Sequence, residues 1–172
     1  MTLRTEPCND DRAAVRAIIE SSGFFYPDEV AVAVELVEER LSKGVERGYH
    51  FLFAEAEGQV LGYACFGPIP CSQHSYDLYW IAVHERQRGG GLGRMLLDAA
   101  EKTVAGMGGR RIYVETASRP QYAPTRAFYA ACGYLAEAVL EDFYAPGDSK
   151  VIFVKIVGAA ERHQPPEGVQ WV

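Results

Sequence analysis

The chain has 172 residues, which corresponds to one domain of ordinary size and excludes a multidomain protein. Apolar residues make up 48% of it and charged residues 23%, a composition that supports a packed core and excludes the disordered class. The formal net charge of −6 repels phosphate backbones and anionic lipids, so we expect no nucleic acid partner.

The sequence shows no signal for a membrane, a disulfide framework or a metal. No segment supplies the roughly 18 uncharged apolar residues of a membrane span, and residues 1–12 lack the apolar stretch of a signal peptide. We therefore expect a cytoplasmic protein without a membrane partner. The four cysteines and four histidines follow no disulfide or zinc spacing, so we expect reduced cysteines and no metal.

The first quarter of the chain predicts two helices after a possible short strand at residues 2–5. An Asn-Asp-Asp run offers N-caps to the first helix, which ends near Gly23. Pro27 suits the first turn of the second helix, whose valines and leucines repeat at helical spacing until Gly44 or Gly48.

From Tyr49 the periodicity changes to that of strands. Residues 49–56 and 59–67 predict an antiparallel hairpin around the turn Glu57-Gly58. Residues 75–83 form a nearly continuous aromatic and aliphatic run, which is typical of a central strand covered on both faces.

The second half predicts a strand-loop-helix-strand unit followed by a short helix and two more strands. A helix over residues 91–106 leads to a strand at 110–115, which makes that strand parallel to 75–83. A helix at 124–132 precedes strands near 134–144 and 150–157. The order indicates an α/β fold in the broad sense, a mixed α+β sheet with helices on its faces, in one domain at 1–157 with a tail at 158–172.

The most informative segment is the loop that joins the strand at 75–83 to the next helix. Its sequence is Arg88-Gly89-Gly90-Gly91-Leu92-Gly93. Glycines there permit a positive φ, and the unpaired N–H groups of a helix N-terminus attract anions, although glycines alone more often make only a tight turn. A dinucleotide loop would lie in the first strand-helix unit, and a Walker loop would continue with Lys and Ser or Thr, so neither nucleotide motif fits.

These residues resemble the signature of the GNAT superfamily of acyl-CoA-dependent N-acetyltransferases, which is Arg/Gln-x-x-Gly-x-Gly/Ala between a central strand and a long helix. The approach Ile81-Ala82-Val83-His84 is also similar, while Glu85 stands where many members have proline. The resemblance extends from about residue 3 to 157. It implies a mixed, mostly antiparallel sheet with a central parallel strand pair and helices on both faces.

The resemblance further implies that acetyl-CoA is the cosubstrate and that no metal is needed. Backbone N–H groups across the glycine loop would bind the pyrophosphate, and the strand before it would pair with the pantetheine arm. The thioester would lie where the two central strands diverge, with a backbone N–H of strand 75–83 as oxyanion donor. The implied cofactor-binding residues are Ile81, Ala82, Val83, Arg88, Gly89, Gly90, Gly91, Leu92, Gly93 and Arg94.

Two residues are candidates for acid-base catalysis, because amide formation needs a neutral amine and a proton for the departing thiolate. Glu115 ends a strand next to the divergence and resembles the glutamate that some family members use as base; the alternative is a solvated strand-end carboxylate. Tyr129 lies in the segment AFYAACGY, similar to the family's A-x-x-x-Y-x-x-x-G-[FY] end, and is the candidate acid; the alternative is a core aromatic residue. Many relatives have Asn where Tyr122 stands.

The predicted reaction is direct transfer of acetyl to a primary amine of a small molecule or peptide, without a covalent enzyme intermediate. Candidate acceptor-binding residues are Phe24, Phe25, Tyr26, Asp77, Tyr79 and Tyr122, with Tyr144 as a further one. Three acidic residues near the expected opening, Asp77, Asp142 and Asp148, would suit a cationic amine. A protein N-terminus, a lysine, an amino acid and a small amine all stay open as acceptors.

Two further alternatives concern function and assembly. A non-catalytic acyl-CoA-binding sensor would keep the loop and lack the chemistry. A homodimer could form through an exposed strand near residues 151–157 together with Trp171 of the tail, which could instead cover an edge strand of its own chain.

Overall fold

The computed structural model of the protein describes residues 1–158. The predicted tail at 158–172, including Trp171, lies outside them apart from Gly158. The order of the elements is the predicted one, with short 3-10 turns at 45–47, 85–87 and 120–122. The strands are β1 Thr2–Arg4, β2 His50–Ala56, β3 Gln59–Pro68, β4 Ser75–Val83, β5 Arg111–Ala117, β6 Leu135–Ala145 and β7 Asp148–Ile156; the helices are α1 Asp11–Ser21, α2 Pro27–Lys43, α3 Leu92–Gly106 and α4 Ala123–Ala131.

All seven strands form one sheet in the order β1-β2-β3-β4-β5-β7-β6. Neighbouring strands are antiparallel except for β4 and β5, which are parallel. Helix α3 connects these two strands, as a parallel pair requires a crossover rather than a hairpin. The predicted mixed sheet with one central parallel pair is therefore confirmed.

Helices cover both faces of the sheet, as predicted. The apolar positions of α1 and α2 recur at helical spacing and form a core with β2 and β3 that includes Val15, Ile18, Val37, Phe53 and Tyr63. Helices α3 and α4 form a second core on the opposite face, with Leu96, Leu97, Val104, Ile112 and Phe153 among its members. Burial of these side chains on both faces is the main stabilising contribution of the fold.

The parallel strands separate shortly after they meet. Their pairing starts at Ser75 and Arg111 and ends at Asp77 and Tyr113. Beyond this point β4 continues to Val83, while β5 follows β7, with which it pairs along its whole length. A gap therefore opens between the carboxyl-terminal halves of β4 and β5, as the resemblance implied.

Strand β4 contains a bulge at Tyr79. Its neighbours in the strand, Leu78 and Trp80, face the consecutive β3 residues Phe66 and Cys65, so Tyr79 is an extra residue. Leu78 packs into the core beneath α3, whereas Trp80, two residues later, packs into the core beneath α1 and α2. The bulge thus reverses the alternation of the side chains at the level where the gap opens.

The prediction of an exposed strand near residues 151–157 is wrong. This segment is β7, which lies between β5 and β6 in the interior of the sheet. The edge strand is β6, whose side chains are exposed along almost its whole length. Across the sheet β7 precedes β6, the reverse of their order in the chain, because β7 pairs with β5 along its length and β6 pairs only with β7.

Candidate active site

A cavity of about 690 Å³ occupies the gap between β4 and β5. Its wall combines the start of α2, the second half of β4, the end of β5, the start of α4 and the turn between β6 and β7. Aromatic side chains predominate, and three carboxylates face one guanidinium. The aromatic residues are Phe24, Phe25, Tyr26, Tyr79, Trp80, Tyr122, Tyr129 and Tyr144, and the charged residues are Glu29, Glu115, Arg119 and Asp148.

Five of the six predicted acceptor-binding residues line this cavity: Phe24, Phe25, Tyr26, Tyr79 and Tyr122. The sixth, Asp77, lies outside its lining. Asp77 belongs to the last residue pair before the strands separate, where β5 still covers it, and it is half-buried. Its place is therefore at the inner end of the gap.

Tyr129 lies on α4 and is both a core residue and part of the cavity wall. Only 4% of it is exposed, and its ring contacts those of Phe128, Tyr134 and Phe153. Burial raises the pKa of the Tyr129 phenol well above its usual value, since the phenolate is poorly solvated there. The hydroxyl stays protonated at neutral pH, as a proton donor to a thiolate must be.

Glu115 lies on β5, two residues beyond the last pair with β4, and lines the cavity. Its Oε2 atom is 2.6 Å from Nζ of Lys150 on β7, and half of the Glu115 side chain is exposed to solvent. The carboxylate is thus held in place by a neighbouring strand rather than freely solvated.

Asp77 forms a second carboxylate close to Glu115. Partial burial and, to a smaller extent, the negative charge of Glu115 raise the pKa of Asp77 to about 6, against the opposing charge of Lys150. Two interacting carboxylates therefore flank the point at which the central strands part.

The glycine loop has the geometry of an anion-binding helix N-terminus. Gly91 caps α3 with a φ of 81°, Gly89 has a φ of 78°, and a Cβ at either position would meet no atom within 4 Å. The N–H of Met95 donates to the carbonyl of Gly91 at 3.0 Å, which leaves the N–H groups of the preceding helical residues without an intrahelical acceptor. These groups and the open space above the glycines suit a phosphate or pyrophosphate.

The two arginines of this loop are anchored on either side of it. The Arg88 guanidinium lies 5.2 Å from the centre of the Phe24 ring, which connects the loop with the cavity. Arg94 donates from Nη1 to the carbonyl of Ala131 at 3.1 Å and so ties α3 to the end of α4.

The backbone of β4 faces the gap at two of the three residues predicted to pair with pantetheine. The N–H of His84 donates to Leu61 of β3 at 2.9 Å. Because backbone groups alternate along a strand, those of Val83 and Ile81 point to the opposite side, where β5 has departed. The backbone groups of Ala82 point toward β3, so they do not face the gap.

Four charged or aromatic residues of the cavity wall were missing from the predicted site: Glu29, Trp80, Arg119 and Asp148. Asp148 was considered only for its charge, together with Asp142. Asp142 is exposed and accepts the N–H of Gly147 at 2.8 Å within the hairpin turn. Pro27, two residues before Glu29, and the Pro-Gly turn before Asp148 mark the ends of elements, but no periodicity shows that these ends meet.

Within residues 1–158, no group of three or more His, Cys, Asp or Glu side chains is arranged to hold a metal ion. None of the helices in the same range is long and apolar enough to cross a membrane.

Comparison with known proteins places the chain among acetyltransferases. The family model described as the acetyltransferase (GNAT) family matches residues 15–134, more than half of the chain. A crystal structure from Desulfovibrio desulfuricans, assigned to the GNAT acetyltransferases, is 46% identical to the chain, covers 91% of it and 98% of its own chain, and has a TM-score of 0.89. No curated protein matched the sequence.

Two more distant structures share the fold. An aminoglycoside 6'-N-acetyltransferase complexed with coenzyme A is 18% identical, with a TM-score of 0.74 and coverage of 91% of this chain and 97% of that one. The ribosomal-protein-S18-alanine N-acetyltransferase from Escherichia coli is 18% identical, with a TM-score of 0.71 and coverage of 99% of both chains. From the family model and the 46% identical structure, the chain belongs to the GNAT family of acetyltransferases.

Proposed function

We propose that the protein transfers the acetyl group of acetyl-CoA directly to a primary amine of a small molecule or peptide. The observation that carries this proposal is the gap between β4 and β5, which adjoins the glycine loop and places Glu115 and Tyr129 in the wall of one cavity. The glycine loop, the cavity and the two candidate acid-base residues thus lie together, which supports the proposal.

The cofactor part of the proposal rests on the loop and on the freed edge of β4. The N–H groups from Gly89 to Arg94 would bind the pyrophosphate, and the backbone groups of Ile81 and Val83 would pair with the pantetheine arm. The family uses acetyl-CoA, and a structure of the same fold is complexed with coenzyme A. The acetyl-CoA supplies the thioester carbon that the amine attacks.

The proposed chemistry needs a proton acceptor for the amine and a proton donor for the departing thiolate. A carboxylate takes a proton from the acceptor ammonium, and the amine nitrogen bonds to the thioester carbon. A backbone N–H of β4 stabilises the oxyanion, the carbon–sulfur bond breaks, and Tyr129 gives its proton to the thiolate. The second proton of the amine nitrogen then leaves the amide and returns Tyr129 to its neutral form. Glu115 is the proposed base, and Asp77 is the neighbouring carboxylate that can share this role.

The relatives do not decide the acceptor, because at 18% identity they share the fold alone. One is named for aminoglycosides and the other for the alanine of a ribosomal protein. For this chain the class of acceptor must come from its own cavity wall.

The test is acetyl-CoA turnover with a panel of amines, amino acids, aminoglycosides and peptides with free N-termini. Release of free thiol is followed together with the mass of the acetylated product. We expect both to depend on one class of amine, and incubation with acetyl-CoA alone should leave no acetylated cysteine. Tight CoA binding without acetylation of any amine would overturn the enzymatic proposal in favour of a sensor.

A further inference from the structure

We propose that Asp148 binds a second cationic group of the acceptor, so that the preferred acceptor is a diamine or polyamine rather than a monoamine or an amino acid. The inference rests on the proposed acetyl transfer and specifies its substrate class. Asp148 lies in the wall of the cavity at the end remote from Asp77.

Asp148 is a buried carboxylate with one oxygen that has no partner. Only 7% of the residue is exposed, it begins β7, and it lines the cavity. Its Oδ2 atom lies 2.9 Å from Nε of Arg119, in the geometry of an ion pair, whereas Oδ1 is buried and accepts no hydrogen bond within residues 1–158. A buried carboxylate oxygen without a donor is costly, and a donor group of a ligand in the cavity would remove that cost.

The surroundings of Asp148 favour a cation as this donor. Glu29 faces the same cavity, and its side chain has no ion pair among the residues that the structure describes. Tyr122 and Tyr144 line the cavity with both carboxylates, whose negative charges add to the burial that raises the pKa of the two phenols. Two carboxylates and aromatic rings around a single guanidinium leave a net negative site for an ammonium group.

The guanidinium of Arg119 is already occupied, which argues against an amino acid as acceptor. Its Nη1 atom donates to the hydroxyl of Tyr26 at 3.0 Å, and its Cζ atom lies 5.4 Å from the centres of the Tyr26 and Tyr122 rings. Asp148 is its ion-pair partner, so the positive charge of Arg119 is already paired with a carboxylate of the protein.

The distance along the sheet sets the spacing between the two amino groups. Glu115 faces Ile152 of β7, and Asp148 lies four residues before Ile152 on the same strand. At about 3.3 Å per residue the two positions are about 13 Å apart along the strand. An amine that reacts beside Glu115 must carry its second cation several methylene groups away to reach Asp148.

The experiment measures kcat and KM for 1,4-diaminobutane, 1,6-diaminohexane and 1,8-diaminooctane, each beside the n-alkylamine with the same number of carbons. The dipeptide Ala-Lys beside Ala-norleucine distinguishes a free diamine from a peptide with a second cation. The variants are Asp148→Asn and the control Glu141→Gln. Glu141 is exposed on the same hairpin and lies outside the cavity wall, so this control removes an equal charge nearby.

We expect wild-type kcat/KM for at least one diamine to exceed that of its matched monoamine about tenfold, the effect of one hydrogen bond to a charged group. Asp148→Asn should raise the KM of that diamine about tenfold, change the monoamine less than about twofold and leave kcat largely unchanged. Glu141→Gln should match the wild type.

Equal use of diamines and monoamines, or an equal loss for both in Asp148→Asn, would overturn the inference. If Asp148→Asn fails to fold, Glu29→Gln carries the same test, because glutamine can still accept the N–H of Tyr26 that Glu29 accepts at 2.8 Å. Absence of acetylation with every amine would instead contradict the proposed function itself, so the two failures are distinguishable.

Discussion

The ammonium of Lys150 lies 2.6 Å from Oε2 of Glu115 and 3.8 Å from the centre of the Phe143 ring. Strand β7 thus supplies a cation that holds a carboxylate of β5, and β6 supplies the ring beneath that cation. An ion pair of this kind fixes the direction of the carboxylate while leaving its second oxygen available to an incoming amine.

The first prediction concerns Glu115 as the base. Glu115→Gln keeps the shape of the side chain and removes its ability to take a proton, so kcat/KM should fall by about 100-fold. The control is Glu137→Gln, which loosens the exposed contact of Glu137 with Arg111 at 3.7 Å, away from the cavity. Wild-type turnover in Glu115→Gln, combined with loss of activity in Asp77→Asn, would transfer the role of base to Asp77.

Tyr129→Phe tests the proton donor. The ring keeps its contacts with Phe128, Tyr134 and Phe153, so the melting temperature should change little, while kcat should fall by about 100-fold with CoA affinity unchanged. Steady-state kinetics and calorimetry with CoA check both. Tyr134→Phe is the control, since Tyr134 is buried 5.6 Å away and lies outside the cavity wall. Equal activity in the two variants would contradict an acid role.

Gly91→Ala tests the anion-binding loop. The φ of 81° at Gly91 strains any residue with a Cβ and should cost about 1 kcal/mol of folding free energy, even though no atom lies within 4 Å of that Cβ. The control is Gly58→Ala in the hairpin turn, where the φ is 75° and space is equally open. Both should lose similar stability, but only Gly91→Ala should weaken CoA binding in calorimetry. Equal CoA affinity in the two variants would place the pyrophosphate elsewhere.

The raised pKa of Asp77 predicts that the stability of the fold depends on pH. Its pKa in the folded protein is about 6, above the ordinary 3.8, so the ionised carboxylate destabilises the fold. The destabilisation is absent below pH 3.8, grows as the pH rises and is complete above about pH 6. Asp77→Asn should therefore raise the free energy of unfolding at pH 7 by on the order of 1 kcal/mol, after allowance for solvent screening, and by much less at pH 4.

Urea unfolding at both pH values measures this difference. Glu115→Gln provides a second check, because loss of its negative charge should move the Asp77 transition to lower pH. A stabilisation by Asp77→Asn that is the same at pH 4 and pH 7 would show that the effect does not come from ionisation.

The elements of the fold were predictable because each has a local cause. Proline at the start of α2, glycine after it and the unbroken apolar run of β4 define their elements within a few residues. The parallel pairing of β4 and β5 followed from the helix between them. The position of β7 inside the sheet could not be predicted, because a strand's neighbours depend on pairing between distant segments.

The site was predictable to the extent that it follows from motif residues. The glycine loop and the aromatic connector around Phe25 are contiguous in sequence, and the structure brings both to the edge of the gap. Asp148 and Arg119 lie 29 positions apart, and their contact arises only when the β6–β7 turn folds over the end of β5. Neither composition nor periodicity indicates that a single carboxylate oxygen is buried.

The bulge at Tyr79 makes the length of β4 as important as its composition. Before the bulge, the even-numbered residues Tyr76 and Leu78 pack beneath α3. After it, the odd-numbered residues Ile81 and Val83 pack there. Because Leu78 and Trp80 already face consecutive β3 residues, removal of Tyr79 would leave a regular strand in which every later side chain keeps its layer. Removal of a residue from the regular part of β4 after the bulge would instead send Val83 to the opposite face and disrupt both cores, whereas the hairpin at Gly58 can change its length with effects confined to the turn.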